Sequence, residues 1–521
     1  MGIADLSSVF QMTVGLTIAA VVVPSILIFL IIRFRQNLAG AKGFSLLLVF
    51  GLAYGILLRF LIAPFTGHPQ DLAYWTDPIR MFYESGIVDM RLYPMPFTYY
   101  PVLLSYSPYA LLKVLGFQDS TFLAHSTGVL ESLFVKLPFI LADIFSVYFL
   151  YRILGKLRSD ESISSRSQRL GYALLYFLSP VLILSSIAWP LVDGIAVALF
   201  LAGFYYSMME EKHVLGGLLY TLSGLIKIFG FIGFVPLAIS LLRRKKISKL
   251  SIIIAMAGAL ALLVYLPLFA SIGIQGLPDF FMQFLKGRAG FGSDGFIASD
   301  SYFSYLSLLG VYFNSSYLTY LLLGLFALVT VYFVFKVARL DLVAQKERIV
   351  ELSILYFASF FFLFYLIFYR VYNYYYLLVI PLLIMYSYRK NLLGPLFAAA
   401  FLSLATAPIF LLGSLVYGAP YYWISLNLPA DTSIISVIPS TLAVLAFLSI
   451  LAVRGPLKVL RSGWGMSVSA GIATWFSFGF AYYAYYGVPF LGLIWYPFSI
   501  VIALAGVVFF AKVFRRLTPE G

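Results

Sequence analysis

The chain has 521 residues, is 62% hydrophobic and 11% charged, and carries a formal net charge of +14. Soluble domains average about 25% charged residues, so this composition excludes an ordinary soluble fold and describes an all-α polytopic membrane protein. The absence of cysteine excludes disulfides and thiolate metal sites, and three histidines leave little for a histidine-rich one.

Apolar runs predict spans at roughly 13–33, 43–63, 130–151, 168–187, 190–208, 213–227, 229–242, 250–270, 316–337, 350–369, 371–387, 391–412, 433–453, 467–486 and 491–511. Some are short, and 213–242 reads as a broken or tilted pair, so the expected number is about 13–15 transmembrane helices. The first run lacks a small-residue cleavage pattern and is read as a spanning helix, not a removed leader.

The positive charge is not spread evenly. Basic residues follow every odd-numbered span: Arg33 and Arg35 after the first, Arg152 to Arg169 after the third, Arg243 to Lys249 after the seventh. The same holds for Lys336 to Arg348 after the ninth, Arg389 and Lys390 after the eleventh, and Lys512 to Arg516 after the last. Cytoplasmic loops carry such an excess, so the alternation predicts an N-terminus outside and a C-terminus in the cytoplasm. It also removes any need for a nucleic-acid partner. The lipid bilayer is the partner that this composition demands.

A long outer connection, 64–129, interrupts the spans. It is dense in acidic and aromatic residues, among them Asp71, Tyr74, Trp75, Asp77, Glu84, Tyr99 and Tyr100. Residues 101–117 (PVLLSYSPYALLKVLGF) are apolar enough to span. Counting them as a span would place the basic 152–169 loop outside, so they are expected to lie along the surface as an interfacial helix.

Nine basic residues fall outside the alternation: Arg59, Arg80, Arg91, Lys113, Lys136, Lys227, Lys286, Arg288 and Arg370. All map to outer loops or outer halves of spans. Asp143 and Asp193 are acidic residues in spans, and Lys136 and Asp143 share a helix face by their spacing of seven. Ionisable groups in a membrane mark a functional cavity or a buried pair. The first reading predicts an outward cavity lined by Asp71, Lys136, Asp193, Lys227 and Arg370. The second predicts structural ion pairs, with Lys and Arg reaching to headgroups.

The segment HPQDLAYWTDPIRMFYESG, followed by YPMPFTYYPVLLSYSPYALLKVLG, resembles the first outer loop of GT-C glycosyltransferases. Asp71, Trp75, Gly86 and the pair Tyr100–Pro101 carry that likeness. KLPFILADIFSVYFLYRIL is similar to their Lys-x-Pro…Asp helix through Lys136, Pro138 and Asp143. Pro180, Trp189 and Asp193, then Lys227 and Pro236, then Arg370, Tyr374 and Pro381, follow in the same order. The chain departs from the pattern at Ser179, where an Asn is usual, and in lacking a Gln in the Asp193 turn, an Asp-x-Asp pair and a Trp-Trp-Asp motif.

The resemblance implies a GT-C-like fold in three parts: an additional N-terminal helix with its loop (1–42), a catalytic membrane module (43–337) and a C-terminal membrane module (338–521). It implies an inverting hexosyltransferase of the plasma or cell membrane, working on the extracytoplasmic face. The donor would be a polyprenyl- or dolichyl-phosphate-linked mannose or glucose, and the acceptor a lipid-linked or surface glycan. Asp71, or else Asp77, would be the base that takes the acceptor proton. Arg370, Lys227 and Arg288 would meet the donor phosphate. Trp75, Tyr100, Lys136, Asp143, Trp189, Asp193, Asn373 and Tyr374 would line the cavity. No cofactor is implied; a divalent metal is left open. A carrier or flippase for a lipid-linked sugar, and a non-catalytic membrane assembly subunit, are the competing readings.

Overall fold

A computed structural model of the chain describes residues 18–34, 42–67, 69–86, 96–120, 127–158, 163–187, 190–289, 315–340, 345–368 and 373–403. The described residues form helices and no β-strand, as expected of an all-α polytopic membrane protein. Among the described residues five helices are long and apolar enough to cross a bilayer: Lys42–Phe65, Val129–Leu157, Ile247–Ala270, Ser316–Ala338 and Lys346–Tyr365. A bent pair, Ser165–Phe177 and Pro180–Ile187, meets the same test together, and four shorter apolar helices accompany them. The spans expected over 433–511 lie outside the described residues.

The described residues divide into two compact units. The first takes residues 18–233 and 251–274, the second 234–250 and 275–403.

In the first unit, α1 (Val23–Phe34) and α2 (Lys42–Ile62) precede two helices in the long loop, α3 (Pro69–Ser85) and α4 (Tyr99–Val114). The 29-residue α5 (Val129–Leu157) follows. Next come α6 (Ile163–Phe177) and α7 (Pro180–Ile187), bent by 52°. The bend has a local cause. Pro180 lacks an N–H and disfavours helical dihedrals at Ser179, so it starts a new helix instead of continuing the old one. Then α8 (Asp193–Phe204) runs through a π turn at Tyr205–Met209, and α9 (His213–Ile226) leads to a 3₁₀ turn at Ile228–Gly233. The pair expected at 213–242 is thus broken, at Lys227.

Close packing in this unit rests on small residues. Gly51 and Gly55 sit four apart on α2 and face Leu174, Phe177 and Leu178. A Cβ at Gly55 would stand 2.6 Å from the Phe177 ring. Lipid tails are as apolar as Leu, so helices in a bilayer associate through such close approach and not through hydrophobic burial. The 3₁₀ turn uses the same device: a Cβ at Gly233 would lie 2.3 Å from the Tyr220 ring.

Helix α4 covers most of the expected 101–117 segment and buries one side of itself. Tyr99, Val102, Tyr106, Tyr109 and Ala110 are buried, while Leu104, Leu111 and Val114 on the other face are exposed.

α10 (Phe234–Arg243) belongs to the second unit; α11 (Ile247–Ala289) begins in the second unit, belongs to the first over 251–274 and returns to the second just past a kink at Gly273, where φ is 68°. The unit continues with α12 (Ser315–Ala338), α13 (Lys346–Ile367), α14 (Val379–Lys390) and α15 (Leu393–Leu402). Aromatic stacking joins α12 to α13, with Phe326 against Phe360 at 3.9 Å and Phe333 against Tyr356 at 4.7 Å between ring centroids. Helix α14 ends at Asn391 with φ 53°, the left-handed cap for which Asn is a common choice.

Candidate functional site: the charged interior of the first unit

Arg59 lies on the same face of α2 as Gly51 and Gly55, one turn further on. Its side chain is 0% exposed, and so is that of Asp143 on α5. The Arg59 Nε donates to Asp143 Oδ2 at 2.6 Å. The guanidinium also donates to the carbonyls of Gly55 (2.9 Å) and Phe177 (2.8 Å), and lies 4.1 Å from the Phe177 ring centroid. One arginine thus ties α2, α5 and α6 together. A buried ion pair needs further hydrogen bonds to offset its desolvation, and Arg59 makes two to backbone carbonyls besides the one to Asp143.

Lys136 is two turns from Asp143 on the same face of α5 and is also fully buried. Its ammonium donates to the carbonyls of Ala63, at 2.8 Å, and Thr66. These carbonyls close the C-terminal end of α2 and the short 3₁₀ turn after it, where orphan acceptors and the negative helix pole both favour a cation. Lys136 is therefore spent on backbone, and Asp143 on Arg59. The outward cavity expected around Lys136 is corrected on this point: its side chain is enclosed, with no exposed surface.

A third group joins the loop helices to α5. Glu131 receives both Arg80 Nε (2.6 Å) and Arg80 Nη2, the Tyr106 hydroxyl (2.7 Å) and the Gly128 N–H (3.0 Å). Gly128 begins α5 without a capping side chain. Asp119 supplies the cap from outside, accepting the N–H groups of Leu130 (3.3 Å) and Glu131 (2.9 Å). Burial and the neighbouring Glu131 carboxylate push the Tyr106 hydroxyl well above the usual tyrosine range, so it remains a donor. The hydrogen bonds to Glu131 likewise hold Arg80 charged.

The fourth group is Asp193 with Lys227, at 3.2 Å. Asp193 opens α8 and is buried; Lys227 lies at the break after α9 and is 23% exposed. Among the described residues Asp143 Oδ1, Asp193 Oδ1, Ser146 Oγ, Ser179 Oγ and the Tyr176 hydroxyl are buried with no hydrogen-bond partner.

The remaining expected site residues are placed as follows. Trp75 is buried, donates Nε1–H to the Pro190 carbonyl at 2.9 Å, and meets Tyr99 and Phe139 edge-on. The Tyr100 hydroxyl donates to the Val264 carbonyl at 3.2 Å. Asp77 is exposed and accepts from the Thr76 hydroxyl at 3.4 Å. Asp71 and Arg288 lie on helices α3 and α11, and Asn373 and Tyr374 on a 3₁₀ turn (Asn373–Leu378), but their side chains lie outside the described residues. Trp189 and Arg370 lie outside them altogether. No cluster of three or more His, Cys, Asp or Glu able to hold a metal occurs among the described residues. Glu131 and Asp119 were not legible as site residues, because a lone carboxylate beside a span looks like any headgroup contact. Arg59 stood out in the sequence only as a cation within an apolar run.

The described fold is that of an all-α, multi-pass membrane protein, and its internal charges largely meet partners within the chain. Within it, residues 97–292 match the family of the GPI transamidase subunit PIG-U. The match starts beside α4, takes in α5 to α9 and continues past the end of α11, but covers less than half of the chain. The comparison with curated proteins gives no match.

This match overturns the expected hexosyltransferase. The family that matches is named as a subunit of a transamidase, an amide-exchanging activity, and not as a sugar-transferring enzyme. The sugar-transfer step is withdrawn, and with it the enzyme class and the reaction in which Asp71 or Asp77 would act as base. The polyprenyl-phosphate donor and the glycan acceptor lose their support with it.

Proposed function

We propose that the chain is a non-catalytic, membrane-embedded subunit of a protein complex of the GPI transamidase kind. The observation that carries this reading is the match of residues 97–292 to the PIG-U subunit family. Two features of the chain support it. Its buried charges in the matched region are held by internal partners, which suits a scaffold better than a reactive centre. It also has no cysteine, so a thiol nucleophile for amide exchange belongs to another subunit. Its partners are then other membrane proteins of the complex, reached through the lipid-facing and loop surfaces. The basic alternation orients it with the 64–129 connection on the extracytoplasmic side and the C-terminus in the cytoplasm.

Affinity purification from native membranes in a mild detergent tests the reading. The expected result is a stable complex that contains a second chain with a nucleophile suited to amide exchange. Recovery of the tagged chain as a lone monomer from intact membranes would sink it.

A further inference from the structure

The second unit contains a cavity of about 240 Å³ between α12 and α13. The two helices are consecutive and packed together, so the C-terminal end of α12 lies beside the N-terminal end of α13. At those ends the lining is basic: Lys336, Arg339 and Arg348. Further along, it is apolar and aromatic: Phe333, Leu355 and Tyr356. From Arg339 back to Val329, another lining residue, the helix rises about 15 Å, roughly half the hydrocarbon thickness of a bilayer.

Among the described lining residues the three cations, Lys336, Arg339 and Arg348, are accompanied by no carboxylate. Arg348 faces Glu351 at 3.4 Å, but Glu351 also receives Lys390 at 2.6 Å. Lys336 and Arg339 have no carboxylate partner among the described residues; they rest over the rings of Tyr332 and Phe335. The outer side of α12 faces lipid, with Leu328 and Val331 each 66% exposed. The inner wall is fixed by the Thr330–Tyr356 hydrogen bond at 3.1 Å and the Phe333–Tyr356 stack.

We propose that this cavity is a binding site for an anionic phospholipid, with its phosphate at Lys336, Arg339 and Arg348 and an acyl chain along Phe333, Leu355 and Tyr356. The charge complementarity selects the head, and the apolar depth selects a chain over a free ion. Basic pockets between transmembrane helices hold anionic headgroups by this combination. The site lies in the second unit, outside the matched residues 97–292, and does not depend on the subunit reading.

The full chain is purified into nanodiscs of phosphatidylcholine with a minor fraction of phosphatidic acid, and the lipid retained after detergent extraction is measured by native mass spectrometry. Enrichment of phosphatidic acid is expected. The K336Q/R339Q variant should lose it by about 10- to 30-fold, since each cation near the surface contributes about 1 kcal/mol. K245Q/K249Q, with the same change in net charge elsewhere, should retain it. Leu355→Trp, which fills the apolar part, should also lose the lipid while leaving the cations in place. Circular dichroism and size-exclusion profiles check that each variant is folded. Equal enrichment in wild type and K336Q/R339Q overturns the site. Displacement of the lipid by millimolar inorganic phosphate, with Leu355→Trp unaffected, overturns the lipid as occupant.

Discussion

Replacing Asp143 by Ala would leave the Arg59 guanidinium buried without its counter-charge. Removing one partner of a buried pair typically costs about 3–5 kcal/mol, far more than a surface pair contributes. Asp143→Ala and Arg59→Ala should each lower the unfolding temperature of the purified protein strongly, and the double variant should be less than additive. Equal and additive losses would show that the two residues act separately. Lys136→Met is a milder change. It removes the donor of the Ala63 and Thr66 carbonyls but leaves no unpaired charge, so about 1–3 kcal/mol is expected. A loss as large as that of Asp143→Ala would contradict the assignment of Lys136 to backbone capping. Lys136 and Asp143 do share a helix face, as their spacing implies. Their partners come from α2 and the turn that follows it, however, and no local pattern could name residues that lie 73 and 84 positions away.

At the scale of elements, the contact between α2 and α6 depends on Gly55. A leucine there would need the space that the Phe177 ring occupies. Overpacking costs about 1–3 kcal/mol, and here it also pulls Arg59 off the Phe177 carbonyl, so Gly55→Leu should exceed that range. Thermal unfolding in detergent measures it; a change within about 0.5 kcal/mol would show that the helices separate freely. The loop helices depend on Glu131 in the same way. Glu131→Gln should loosen α3 and α4 and speed proteolysis between residues 115 and 128, with α5 itself intact. The Tyr106 contact adds a pH dependence. Its folded pKa lies above the free value of 10.0, so its contribution is complete below that value and falls away as the pH rises above it. Protection of the loop should therefore weaken in alkaline buffer, and Tyr106→Phe should remove that part of the sensitivity. The bend at Pro180 was hidden in the sequence for a different reason. The apolar run continues through Leu178 and Ser179, and hydropathy reports burial and not direction. Helix α4, in contrast, was legible as a helix, because its apolar run is long and continuous over 99–114.

For the whole molecule, composition and pattern together sufficed to assign an all-α membrane protein, because a chain with 11% charged residues whose apolar runs reach about 20 residues fits spanning helices and not the short alternating strands of a barrel. Activity was not legible in the same way. An aspartate after a span, an intramembrane lysine and a Pro-started helix are what a catalytic cavity would use, and they are also what an ion-paired scaffold uses. The orientation can be tested directly. Cysteine-free chains accept single reporters, so in sealed membrane vesicles of known orientation single cysteines at positions 118 and 249 should react with an impermeant reagent from opposite sides, 118 from the extracytoplasmic side. Labelling of both from the same side would reverse or break the proposed topology.

Because Arg59, Asp143 and Lys136 meet their partners with 0% exposure, dissolved electrolyte has no path to screen them. In the proposed complex, contacts with soluble regions of neighbouring subunits would lie in water and weaken as ionic strength rises. A concentrated salt wash should therefore detach peripheral partners while the helical body keeps its melting temperature. For this chain, salt separates assembly from folding in a way that detergent, which attacks both, does not.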